Sequence, residues 1–177
     1  MYAEFRSFLD VIFSRKSVRN YTGRVVSKDD LETLLKAAMA APSGRNQQPW
    51  AFIAVTHPDT LKKLSEGLPY AKMLPNAGAG IVVCGYSVMP TRPGSKELWE
   101  QDCAAATENI LLAAETLGLG AVWTAVHPYP DRQEYVRKVL GIPSHIHPFC
   151  LIPVGYPAGV EQPKEKYDPG KIHWEKW

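Results

Sequence analysis

The sequence predicts an alternating order of helices and short buried strands. Apolar residues recur every three or four positions in several segments, which is typical of amphipathic helices. Four short apolar runs lie between these segments and predict buried strands. The chain has 177 residues, of which 45% are hydrophobic and 21% are charged. This length and composition predict one globular domain over residues 1–177.

The first two helices are predicted from residue spacing and from a capping pattern. Residues 5–13 place phenylalanine, leucine and isoleucine at helical spacing, so a helix should end near the cations that begin at Arg15. Ser27 with Asp30 three positions later resembles a capping box, and the apolar stripe after it predicts a second helix ending near residues 41–42. The cations therefore follow the exit of a helix.

The rest of the chain alternates strands with helices. Strands are predicted at residues 50–55, 80–85, 121–126 and 150–155. A short helix follows the first strand, a long central helix spans residues 98–117 and ends at Gly118, and another spans residues 132–140 and ends at Gly141. Pro153 favours an edge or irregular position for the last strand, because proline has no N–H to donate.

The tail at residues 156–177 has no periodicity of its own. It carries prolines among charges, yet it keeps Trp174 and Trp177 near its end. Such a tail is expected to pack on another surface, such as a partner subunit.

Charge and cysteine content exclude several functional classes. A formal net charge of +2 is too small for general attraction to nucleic acid or anionic membranes, so Arg15, Lys16 and Arg19 form a local patch. Three cysteines without a CxxC pair favour a reducing cytoplasm. The N-terminus lacks a signal-peptide pattern, and charged and amide residues interrupt the apolar run at residues 103–123. No membrane segment is predicted.

Two polar segments are candidates for ligand binding. Arg15 and Arg19 lie four residues apart with Lys16 and Ser17 between them, a set that can surround a phosphate with forked donors and a hydroxyl. The alternatives are a solvated basic turn and a kinase-like site. The loop at residues 41–50 carries amide and hydroxyl side chains that suit the edge of a planar heterocycle, although a helix stop with a turn would use the same residues.

Other patterns support structural explanations. Residues 118–124 lack the third glycine and the strand-turn-helix context of a dinucleotide fingerprint, so a helix cap and a tight turn explain their glycines. Lysines 164 and 166 alone are typical of a solvated tail. His145 and His147 have no third metal ligand nearby in sequence. Ser43 lacks a nucleophile elbow, and no cysteine has a cationic context that would favour the thiolate.

Five segments together and in register resemble the nitroreductase family of flavin enzymes. They are RKSVRNY, SKDDLETLLKAAMAAPSGRNQQPW, DCAAATENILLAAETLGLGAVW, IPVGYP and the PKEK tail. The resemblance extends from about residue 13 to about residue 174. It implies an α+β fold around a mixed sheet flanked by helices, a homodimer with FMN at each subunit interface, and reduction of small electrophiles by NADH or NADPH.

The resemblance also implies FMN contacts residue by residue. The phosphate, ribityl chain and ring edge would be held by Arg15, Lys16, Ser17, Arg19, Lys164 and Lys166. The other subunit would bring a loop with Pro42, Ser43, Asn46 and Gln48. Trp123 and Thr124 would lie near the reactive edge of the ring, as would Lys72 or its neighbours Met73 and Leu74. Arginine is more usual at position 166, and lysine keeps the charge there but loses the bidentate fork.

Since the sequence offers no acid, base or nucleophile set, the cofactor would carry the chemistry and the protein would position it. By resemblance, hydride would pass from NAD(P)H to flavin N5 and then to a nitroaromatic, quinone or similar acceptor, with ping-pong kinetics. Arg19 would stabilise the reduced ring, and the loop at residues 87–96 would select the acceptor. The alternatives are a flavin dehalogenase or other specialised enzyme on the same scaffold, and a non-catalytic FMN-binding protein.

Overall fold

The described part of the chain folds into a five-stranded sheet between two layers of helices. The structure is a computed structural model that describes residues 7–86 and 98–177. Its strands are β1 (Trp50–Val55), β2 (Ala79–Tyr86), β3 (Gly120–Ala121), β4 (Thr124–Ala125) and β5 (Ile146–Gly155). They lie in the order β1-β2-β5-β3, and β4 pairs with β5 on the same side as β3.

Every pairing between these strands is antiparallel. A parallel bridge between Ser17 and Ala121 adds a short mixed element beside β3. Helices and strands alternate along the chain, as the sequence predicted. The α+β fold class is therefore confirmed.

Five α-helices are present among the described residues. They are α1 (Phe8–Ser14), α2 (Lys28–Met39), α3 (Pro58–Gly67), α4 (Trp99–Thr116) and α5 (Pro130–Leu140). The Ser27 hydroxyl accepts the Asp30 N–H at 3.0 Å, which confirms the predicted cap of α2. Gly118 and Gly141 have φ of 71° and 65°, so the predicted left-handed ends of α4 and α5 are also confirmed. Phe5 and the loop at residues 87–96 lie outside the described residues.

The sheet is buried on both faces along its two central strands. Helices α2 and α4 cover one face, and α3 and α5 cover the other. Along β2, Ile81 and Val83 enter the first core while Val82 and Cys84 enter the second, and each is at most 1% exposed. Because both faces are buried, β2 reads as a continuous apolar run rather than an alternating one.

The sequence predicted one continuous strand at residues 121–126, and this prediction is wrong. The segment divides into β3 and β4, which leaves Val122 and Trp123 outside the regular ladder. Pro153 lies inside the central strand β5, so the edge position is wrong while the irregular one is confirmed. The Pro153 carbonyl accepts the Val122 N–H, so its missing N–H faces the break between β3 and β4. The break and the proline therefore fall at the same place.

The edge of the sheet and the tail are the more exposed parts of the fold. Strand β1 was predicted to be buried, but four of its residues are half-buried because it pairs only with β2 among the described strands. Trp174 and Trp177 are 82% and 101% exposed. None of the described helices has both the length and the apolar character needed to cross a bilayer.

Candidate functional site

The cationic segment is fixed in place as it leaves α1. The Arg15 N–H donates to the Val11 carbonyl and caps the helix. The Val18 N–H donates to the Ala121 carbonyl at 3.0 Å, and the Val18 side chain is 1% exposed. A Cβ at Gly120 would lie 2.6 Å from this side chain, so glycine permits the close approach. The segment therefore has a defined path beside β3.

The tail returns to the same place. The Ala158 N–H donates to the Asn20 carbonyl at 2.9 Å, and the Thr22 N–H donates to the Tyr156 carbonyl at 3.0 Å. These bonds align the start of the tail with residues 20–22. The basic residues of the tail thereby reach the cationic segment, although about 150 residues separate them in sequence.

These two segments enclose a small cavity of about 150 Å³. Its lining residues are Arg15, Lys16, Ser17, Arg19, Gln162, Lys164 and Lys166. Six of them are predicted site residues, and only Gln162 was not singled out from the sequence. Five cations and a hydroxyl around one small space match the chemistry of a phosphate site. We call this space the basic cavity.

Two glutamates of α4 pair with the first two cations. Glu108 Oε1 lies 3.5 Å from Arg15 Nε, and both carboxylate oxygens of Glu115 lie 3.1 Å from Lys16 Nζ. The side chain of Glu115 is only 9% exposed, and it also accepts a hydrogen bond from the Ser14 hydroxyl. Lys16 is therefore held by a largely buried anion, which the sequence did not indicate.

The other three cations of the basic cavity form no ion pair within the described part of the chain. They are Arg19, Lys164 and Lys166. The positive charge that is not balanced by a carboxylate is therefore concentrated on these three residues. They are the cations that would attract an anionic ligand most strongly.

A second cavity of about 420 Å³ adjoins the basic cavity. Its lining residues are Arg19, Pro69, Tyr70, Lys72, Met73, Val122, Trp123, Thr124 and Ala125. Arg19 lines both cavities and is the lining residue that they share. The volume lies in the range of small-molecule pockets. We call this space the ring cavity.

Trp123 and Thr124 occupy the break between β3 and β4. The Thr124 hydroxyl donates to the Leu151 carbonyl at 2.6 Å and is buried. The Trp123 ring packs edge-on against Phe149 at 5.5 Å and is 36% exposed. The irregular backbone thus presents one aromatic side chain to the ring cavity while anchoring the next residue in the sheet.

The ammonium of Lys72 is already bonded to backbone. Its Nζ donates to the Ser65 and Glu66 carbonyls at 2.8 and 3.2 Å, at the C-terminal end of α3. Cations are favoured at this end of a helix. Lys72 lines the ring cavity, but a ring contact through its ammonium would require these bonds to change.

The predicted loop at residues 42–48 lines neither cavity. Its members Pro42, Asn46 and Gln48 are exposed, and Ser43 is half-buried. The structure therefore does not bring these four residues to the cations of the same chain. The resemblance implied this loop would act on the other subunit, and that assignment stays a prediction.

The backbone of this loop is strained. Arg45, Asn46 and Gln48 have φ of 55°, 53° and 50°, a region that costs non-glycine residues about 1–3 kcal/mol each. Such strain is typical of functional segments. The Ser43 hydroxyl supports the turn by accepting the Gln48 N–H at 2.9 Å.

A buried carboxylate anchors the start of the loop. Asp102 of α4 is 6% exposed, and its Oδ1 accepts the Gly44 N–H at 2.9 Å. Its Oδ2 is buried without a hydrogen-bond partner in the described structure. Sequence spacing gave no sign of this contact, because its partners are 58 residues apart.

The histidines and cysteines have structural surroundings. No group of three metal-ligating side chains occurs among the described residues. His147 packs on Trp99, and burial lowers its pKa. Burial raises the pKa of the Cys84 and Cys150 thiols to about 12.

The chain is similar to proteins of one family. The model of the nitroreductase family matches residues 12–68 and 63–156. A protein of Archaeoglobus fulgidus, named as a candidate NADH dehydrogenase/NAD(P)H nitroreductase, is 46% identical over 172 residues. The match covers 96% of this chain and 98% of that protein.

Solved structures agree. A structure from Parabacteroides distasonis with the same candidate name is 50% identical, with a TM-score of 0.90 over 97% of this chain and 99% of that one. An FMN-dependent nitroreductase from Clostridium difficile is 28% identical, with a TM-score of 0.87 over 96% of this chain and 99% of that one.

A sequence relative with a different name is more distant. It is an iodotyrosine deiodinase of Haliscomenobacter hydrossis, 26% identical over 88% of this chain and 80% of its own length.

Proposed function

The chain belongs to the nitroreductase family, and on this premise we propose that it is an FMN-dependent oxidoreductase that passes hydride from NAD(P)H to a small electrophilic acceptor. The observation that carries the proposal is the pair of cavities joined at Arg19. The names of similar proteins, an NAD(P)H nitroreductase and an FMN-dependent nitroreductase, support the same activity.

The donor set of this chain fits FMN. A phosphate would lie in the basic cavity against Arg19, Lys164 and Lys166, and the Ser17 hydroxyl can donate a short hydrogen bond there. The ring would lie in the ring cavity beside Trp123, whose exposed face suits a planar heterocycle. Lys16 and Arg15 would act on the phosphate at longer range, because each already forms an ion pair with a glutamate of α4.

When bound, FMN would supply the redox chemistry of hydride transfer between NAD(P)H and the acceptor. The protein would position the cofactor and supply the electrostatic field around it. Arg19 lines both cavities, and its charge would make the bound ring easier to reduce. The buried Thr124 and the carbonyl it contacts hold the neighbouring backbone rigid. Ping-pong kinetics are part of the proposal, because NAD(P)H and the acceptor would react in turn.

We infer that the active form is a homodimer. Four loop residues do not line either cavity of their own chain: Pro42, Ser43, Asn46 and Gln48. They are therefore available to contact the cavities of a second subunit. Exposed aromatic side chains lie on α1 and the tail, including Phe8, Phe13 and Trp174 at 70–82% exposure. Aromatic residues are enriched at interaction surfaces. Light scattering should give twice the mass of the chain.

Anaerobic mixing tests the proposed activity. FMN-loaded protein is titrated with NADH and, separately, NADPH while the visible flavin absorbance is followed. The absorbance should bleach, and it should return after addition of a nitroaromatic or a quinone. A halophenol in the same acceptor series tests the dehalogenase alternative. Bound FMN that neither reagent bleaches would refute the oxidoreductase function and leave a non-catalytic FMN-binding protein.

A further inference from the structure

Arg132 of α5 is held between two tyrosines. Its guanidinium carbon lies 3.8 Å from the centre of the Tyr129 ring and 5.3 Å from the centre of the Tyr70 ring. Its Nη1 also donates to the Ala125 carbonyl at 3.1 Å. Cation–π contacts and a backbone bond together fix the orientation of a side chain that would otherwise move freely.

This group stands at the rim of the ring cavity. Tyr70 and Ala125 both line that cavity and both contact Arg132. Tyr70 and Tyr129 are 68% and 44% exposed, so the stack is open to solvent. A guanidinium has five N–H donors, and one is used by the Ala125 carbonyl. Donors therefore remain for a ligand.

The charge around the cavity has one sign. Arg19 and Lys72 line it, and its lining within the described part of the chain includes no carboxylate. Arg132 adds a third cation at the rim. Asp131 is next to it in the chain but forms no ion pair with it among the described residues. An anionic ligand is favoured here over a neutral one.

We propose that Arg132, with Tyr70 beside it, is the subsite for the anionic group of a planar aromatic electron acceptor, such as an aromatic carboxylate. This inference rests on the proposed function, because the acceptor must reach the ring cavity. The ring of the acceptor would pack against the edge of Tyr70, because Arg132 lies over the face of that tyrosine, and the remaining donors of Arg132 would bind its carboxylate. The specificity would thus come from a cation and a ring on different segments of the chain.

Binding of redox-inert probes tests this without turnover. The FMN-loaded, oxidised protein is titrated with benzoate and with the neutral isostere benzamide, and flavin absorbance reports occupancy. Wild-type protein should bind benzoate about tenfold more tightly, the preference expected from one charge-assisted hydrogen bond. R132Q should bring the two dissociation constants to about the same value while benzamide binding stays unchanged. R132K should retain part of the preference, and K138Q, on an exposed position of the same helix, should retain all of it.

Turnover gives a second readout. The ratio of kcat/KM for 4-nitrobenzoate to that for 4-nitrobenzamide should fall about tenfold in R132Q, while flavin reduction by NADH and by NADPH stays unchanged. If R132Q does not fold, Y70L keeps the proposal testable, because Tyr70 is exposed. It should weaken binding of both probes by about twofold to tenfold, through loss of the aromatic contact.

Three results would overturn the proposal. One is a benzoate preference that survives in R132Q with both dissociation constants unchanged. Another is equal weakening of both probes in R132Q, which would mean a structural role. The third is a change confined to the reaction with NADPH, which would assign Arg132 to the nucleotide phosphate. Failure of the proposed function would be visible separately, as protein that binds no FMN or whose FMN is not reduced.

Discussion

Replacing Arg19 with glutamine tests the junction of the two cavities. Arg19 lines both of them, its side chain is exposed, and it forms no ion pair within the described part of the chain. Glutamine keeps a polar side chain, two atoms shorter than that of arginine, and removes the charge. The substitution should therefore weaken FMN binding without disturbing the fold.

The expected size follows from this exposure. A hydrogen bond to a charged group contributes about 1.5–3 kcal/mol. Because Arg19 is exposed and its charge is screened by solvent, the lower end applies, about 1.5 kcal/mol. Each 1.4 kcal/mol changes a dissociation constant about tenfold. R19Q should thus raise the dissociation constant of FMN about tenfold.

Quenching of flavin fluorescence measures this constant for the wild-type protein and the variant. Riboflavin, which lacks the phosphate, should lose less affinity in R19Q than FMN does. K28Q is the matched control, because Lys28 is also an exposed cation but pairs with Glu32 at the start of α2. Its dissociation constant for FMN should equal that of the wild-type protein.

An unchanged FMN constant in R19Q would refute the placement of Arg19 at the cofactor. Equal losses in R19Q and K28Q would show instead that net charge, and no local contact, controls binding. The thermal midpoint of the protein without FMN should be the same in all three proteins, which separates binding from folding.

Three further predictions concern the anchor of the strained loop, the thiols and His147. D102A should lower the free energy of unfolding by about 1–3 kcal/mol in urea titrations, because the Gly44 N–H loses its acceptor; D102N, which keeps that acceptor, should lose less, and equal losses would count against the anchor. Ellman's reagent should not modify native protein at pH 8, because burial raises the pKa of Cys84 and Cys150 to about 12, and rapid native labelling would contradict this. Burial lowers the pKa of His147 below 6.5, so the unfolded chain gains a proton that the native one does not as pH falls below that value. The free energy of unfolding should therefore decrease as the pH is lowered through about 6.5, and H147Q should make that decrease smaller. An unchanged decrease in H147Q would exclude His147 as its source.

Helix ends were predictable because their signals are local. Ser27 caps α2 within three residues of the groups it serves, and Gly118 provides the left-handed turn after α4. The place of a strand in the sheet is not local. Pro153 was tolerated in a central strand because the break at Val122 and Trp123 faces it, and no pattern within β5 encodes that break.

The cationic half of the site was predictable from residue type, and its electrostatic balance was not. Arginine, lysine and serine in one short segment already indicated a phosphate. Glu115 lies 99 residues from Lys16 in sequence, and its role depends on how α1 packs on α4. Similarly, the ammonium of Lys72 donates hydrogen bonds to carbonyls at the end of α3, and the residue type alone could not predict this contact. Tertiary packing decides which of several cations stay unpaired.

A crystal structure of the FMN-loaded protein would show directly whether the two cavities hold the cofactor. The phosphate should lie in the basic cavity, within hydrogen-bond distance of Lys164 or Lys166, and the ring should lie against Trp123, with Arg19 between them. Electron density for FMN with its phosphate outside the basic cavity, or with its ring away from Trp123, would refute the proposed site.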